Sequence, residues 1–132
     1  MMEFDEHNYG EGRPLIPEID KPTVVFMINN SLSKESWNEL DVYRATQCSW
    51  KIDSVAMEHA VYALGVSHGV VRGAFRIEGW RAAPNDRWCF DGRTAHDLND
   101  VVGTSFARLK APQGQANPVR YFPDGIPLLD RE

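Results

Sequence analysis

Arg72, Arg76 and Trp80 recur every fourth residue in the run "VVRGAFRIEGW" (70–80). An even spacing places them on one face of an extended strand, with small Ala74 between the arginines. Guanidinium groups grip phosphate through paired N–H bonds, and an indole offers a plane on which a base can stack. The run "GQANPVRY" (114–121) supplies a second set: Asn117 for a base edge, Arg120 for phosphate and Tyr121 for stacking. Trp50, closing "ATQCSW" (45–50), is a further stacking surface. Each group has a plain structural counterpart: a solvated hairpin face, a polar edge strand, a large core aromatic. The 4 tryptophans of this 132-residue chain exceed what a small core requires, and that tilts the reading toward a ligand.

Other chemistry is weaker. Cys48 and Cys89 form no CxxC and have no local His base, so buried inert thiols are expected. His7, His59, His68 and His96 show no spacing that would fix a metal together with them. Asp86, Asp91, Asp97 and Asp100 sit at turn and cap positions, where Asp bonds nearby backbone amides. No Gly-rich phosphate loop, HExxH motif or Ser-centred elbow is present. No catalytic residue, metal or cofactor is assigned.

The bulk composition is that of a globular protein, 42% hydrophobic and 25% charged. A net charge of -5 argues against a general grip on duplex DNA, which needs clustered Lys and Arg. It leaves room for a free nucleotide or a short single strand at the locally basic stretch Arg72–Arg93. There is no apolar run of membrane-spanning length and no apolar leader at the N-terminus. With only 2 cysteines, a reduced, cytoplasmic setting is expected.

The elements that must position these residues follow from pattern. Residues 1–22 read as a poorly ordered acidic arm broken by Gly and Pro, able to dock through Leu15 and Ile16. Residues 23–132 read as one domain. "TVVFMI" (23–28) is a strand buried on both faces, either central in its sheet or paired across a homodimer or higher homo-oligomer. Ser33 is expected to cap a helix reaching about Arg44, with Trp37, Leu40 and Tyr43 along one side. A short helix follows from Asp53. "VYALGVSHGVVRGAFRIEGW" (61–80) is a hairpin turning at His68-Gly69. "RWCFDG" (87–92) is a strand closed by Asp91-Gly92, 97–109 is helical, and "NPVRYF" (117–122) is a last strand or extended segment. The fold expected is α+β: a small curved, partly closed β-barrel with two or three flanking helices.

The blocks "ATQCSW", "AVYALGVSHGVVRGAFRIEGW", "RWCFDG" and "NPVRY" together resemble an uncharacterised prokaryotic and phage domain family with the pattern A-T-R-G-x-W, G-V-V-R, R-W-x-F-x-G and N-P-V-x-Y. That family is similar to PUA-like and ASCH-like barrels, which bind RNA or modified bases. The resemblance covers about residues 23–122 and singles out Thr46, Trp50, Arg72, Trp80, Trp88, Phe90, Asn117 and Tyr121. Gln47 and Cys48 depart from it, where the pattern has Arg and Gly. The expected function is therefore non-catalytic recognition of a nucleotide unit in a cleft of Trp50, Arg72, Arg76, Trp80, Asn117, Arg120 and Tyr121. Sequestration of a signalling nucleotide in phage–host defence fits that reading. Two rivals stand beside it: a nuclease or nucleotide hydrolase using Asp86–Asp100 or His96, and an interaction module using the acidic arm.

Overall fold

Strand β1 (Thr23–Met27) is apolar on both sides because both sides are covered. The computed structural model describes residues 12–28, 38–109 and 118–129, and in it β1 lies inside a five-stranded sheet of order β4-β3-β2-β1-β5. It runs parallel to β2 (Tyr62–Ser67) and antiparallel to β5 (Val119–Phe122). A parallel neighbour needs a long crossover, supplied here by helices α1 (Glu39–Gln47) and α2 (Ser54–His59). β2 continues through the His68-Gly69 turn into β3 (Val70–Ala83), which pairs with β4 (Arg87–Thr94). Both turn residues have positive φ, 53° and 78°, as a two-residue hairpin turn matched to strand twist requires.

Alternation along β1 divides the core in two. Val24, Phe26 and Ile28 meet Val42 and Ala45 of α1, together with Trp50, Phe75 and Phe90. Val25 faces the other way, onto Leu64, Val66, Leu98, Val101, Phe106 and Ile126. Residues 12–22 of the N-terminal arm lie against this second face: Ile16 and Ile19 are buried, and Ile19 exchanges backbone hydrogen bonds with Ile126. Residues 1–11 lie outside the described residues.

Helix α1 is capped by Asn38, whose Oδ1 accepts from the Asp41 amide at 2.8 Å. The expected start at Ser33 and Trp37 lies outside the described residues. Val42, Ala45 and Thr46 form its buried stripe. The helix can sit this low because β2 carries Gly65 beneath it. A Cβ there would fall 2.2 Å from Thr46 Oγ1.

Several expectations are corrected. The sheet is open, with β4 and β5 as its two edges, so the partly closed barrel is not seen among the described residues. The segment 97–109 is not a helix but two single 3-10 turns, His96–Leu98 and Ala107–Leu109. Gly103 takes φ 93° between them, so the helix is broken although Leu98, Val101 and Phe106, at a spacing a helix face would share, still point into the core. Asp91-Gly92 is not a turn, since β4 runs through it to Thr94. Gly92 is there for clearance: a Cβ would lie 2.3 Å from the Arg76 carbonyl oxygen. Finally, Cys48 and Cys89 are not free thiols. They form a disulfide that ties the end of α1 to β4.

Candidate functional site

Two irregularities in β3 control where its side chains go. The pairing with β2 passes from Gly65↔Gly73 to Val66↔Val71, which leaves Arg72 as an extra residue. The pairing with β4 passes from Ile77↔Gly92 to Gly79↔Asp91, which leaves Glu78 extra. Each extra residue reverses the face on which later side chains emerge. Arg72, Arg76 and Trp80 therefore do not share a face as plain alternation predicts. Arg76 lies 5.8 Å from the centroid of the Tyr62 ring, on the second core's side. Trp80 packs edge-on against Phe90 in the first core, centroids 5.9 Å apart.

The other expected residues separate in the same way. Trp50 is 7% exposed and stacks on Phe26 at 4.8 Å, while its Nε1 donates to the Thr46 carbonyl at 2.8 Å. It also exchanges backbone hydrogen bonds with Trp88. Tyr121 packs on the first core, whereas Arg120 lies 4.9 Å from the ring of Phe122 beside the second. Asn117 lies outside the described residues. The six described members thus fall on both faces of the sheet and do not line one cleft. Gln47, one of the departures from the family pattern, donates to Asp91, which also holds Arg81 at 2.9 Å.

A different grouping forms where β4 ends. Arg76 is the register partner of Arg93 across the β3–β4 ladder, and Thr94, His96 and Asp97 follow directly. Arg76, Arg93, His96 and Asp97 line an open pocket of about 560 Å³. Like charges directly opposite in a ladder repel. Glu78 offsets this in part, its carboxylate 3.3 Å from Arg93 Nε. At the pocket's edge the Tyr62 hydroxyl donates to the Asp97 carboxylate. Beyond that bond lies an acidic side, with Glu18 and Asp20 beside Lys21. Among the described residues no three His, Cys, Asp or Glu side chains gather as for a metal ion. No described helix is long and apolar enough to cross a membrane.

The Tyr62–Asp97 bond moves both groups. Hydrogen bonding to Asp97, then burial, raises Tyr62 above the ordinary phenol range. The donated bond from Tyr62 lowers Asp97 below the ordinary carboxylate range. Asp97's contribution is therefore present above its unfolded pKa and lost as pH falls through its folded one. Tyr62's is present below its unfolded pKa and lost as pH rises through its folded one. Tyr62→Phe is expected to flatten the stability profile at both extremes. Urea midpoints measured from acid to alkaline pH check this, and a profile parallel to that of the unaltered protein refutes it.

Sequence reasoning passed over Arg93 and Tyr62. No local signal places Arg93: the turn at Pro84–Asp86 pairs Ala83 with Arg87, and unbroken pairing from there would set Arg76 opposite Thr94, so only the extra residue Glu78 brings Arg93 to it. Tyr62 reads as an ordinary strand aromatic. Comparison with known proteins finds no matching family model, no matching curated protein and no matching solved structure.

Proposed function

We propose that this chain is a non-catalytic recognition module for a nucleotide unit, held chiefly through its phosphate by Arg76 and Arg93. The observation that carries the reading is their direct opposition across the β3–β4 ladder. Two guanidinium groups on neighbouring strands offer a phosphate paired donors, and the anion relieves their mutual repulsion. Thr94 and His96 extend the donor set along the same pocket rim. Asp97 repels phosphate from the pocket's far side and so orients the ligand. Its carboxylate is already occupied by the Tyr62 hydroxyl and stays ionised, which favours binding over general-acid catalysis. Such a module acts by sequestering or sensing its ligand. The resemblance of its motifs to a prokaryotic and phage family that is itself similar to PUA-like and ASCH-like domains would fit this reading, while the fold itself supports the α+β class alone.

Arg76→Ala and Arg93→Ala are each expected to weaken binding of a nucleoside monophosphate by roughly tenfold or more, since a charge-assisted bond contributes about 1.5–3 kcal/mol. The matching nucleoside without phosphate should bind weakly to every form. Calorimetric titration checks both. Equal affinity in the unaltered protein and the two variants ends the proposal. Turnover of the nucleotide that disappears in His96→Ala replaces it with the hydrolase reading.

A further inference from the structure

Strand β4 ends at Phe75↔Thr94, Ala95 donates one more backbone bond to the Ala74 carbonyl, and the chain then rejoins that edge where Gly103 and Thr104 bond to Val71. In between, residues 96–102 leave the ladder while Leu98 and Val101 anchor them to the second core. The gap is a pocket of about 290 Å³ at the edge of the sheet. Val42 and Phe75 form its apolar floor, and Gly73 its wall. Gly73 has no room for a side chain, because a Cβ would fall 2.7 Å from Val42 and 2.8 Å from Phe75 and so displace the side chains of the floor. Asn99 and exposed Val102 form the rim.

The polar chemistry at this pocket is cationic. Arg72, the extra residue of the first irregularity, lines it directly and is half-buried. Arg13 reaches the rim from the N-terminal arm, its guanidinium donating to the Gly103 carbonyl at 3.0 Å. We propose that this pocket is a second ligand site, for a small organic carboxylate with a flat or short apolar body. The carboxylate would take the fork of Arg72 with Arg13 behind it, and the body would lie on Phe75 and Val42. The size suits such a ligand, at the lower end of small-molecule pockets. Burial and then the neighbouring charge of Arg13 pull Arg72 down to about 10, so it remains a cation at neutral pH and gains from an anion on both counts. This site adjoins the phosphate site through Thr94 and Ala95, which line both, but shares neither Arg76 nor Arg93 with it.

Benzoate titrated into the full, isotope-labelled chain tests the proposal, with neutral benzamide as its isostere. Expected are saturable amide shifts centred on Gly73, Asn99 and Val102, with benzamide weaker by about tenfold or more, as loss of a charge-assisted contact implies. Arg72→Gln should reduce benzoate affinity by a similar factor. Val102→Glu places a repelling carboxylate on an exposed rim position that tolerates change. It should do the same even if Arg72→Gln does not fold. Absence of saturable shifts, equal binding of benzamide, undiminished affinity in Val102→Glu, or shifts centred on Arg76 and Arg93 would each overturn it.

Discussion

Replacing Cys48 and Cys89 together by alanine lowers the unfolding free energy by about 4 kcal/mol, the loop-closure entropy expected for a link of this span. The two residues are 41 apart in sequence, with Cα atoms 4.4 Å apart, so in the unfolded chain the bond closes a long loop. Its place in the fold amplifies the consequence. It joins the last turn of α1 to β4, beside the Trp50–Trp88 backbone bridge, and β4 is the strand that carries Arg93. Urea unfolding of three samples decides the matter: oxidised protein, protein treated with reductant, and the double variant. The last two should coincide, well below the first. Coincidence of all three would show that the link contributes nothing.

Phe90→Ala is the largest single-residue loss expected in the core, about 3–5 kcal/mol. Phe90 is fully buried, with Phe26, Tyr43, Phe75 and Trp80 rings all within 6.2 Å of its centroid. Among the described residues no other ring packs against rings from β1, α1 and β3 together in this way. Tyr43 also ties the same corner through its hydroxyl, which accepts from the Gly92 amide and from Gln47. Truncation leaves a void that these rigid rings cannot collapse to fill. Thermal unfolding measures the loss, and Phe90→Leu should recover part of it. A melting temperature unchanged in Phe90→Ala would mean that the first core repacks without it.

The corner at "ATQCSW" shows how far residue type carries and where it stops. Trp50 was expected at the mouth of a cleft, as a stacking surface at the end of a helix. It does end the helix, but by donating its indole N–H to the Thr46 carbonyl and laying its ring on Phe26. Nothing local in the run distinguishes the two uses, because what covers the ring comes from β1. Cys48 is similar. Its partner lies on a strand that sequence separation alone cannot bring near.

Local pattern was enough for the α+β class, a strand at 23–28 buried on both faces, the hairpin at His68-Gly69 and an extended segment at 117–122. Each rests on features within a few neighbouring residues: β-branched runs, a glycine able to take positive φ, a proline that blocks helix. Those choices survive packing because packing reinforces them. The site did not follow from pattern. Strict alternation put Arg72, Arg76 and Trp80 together, and two extra residues in β3, Arg72 and Glu78, broke the alternation. A one-residue slip reverses a strand's faces, and its position depends on what the partner strands offer. Only the assembled ladder could set Arg76 against Arg93, and only the detour of residues 96–102 could open the pocket beside Arg72.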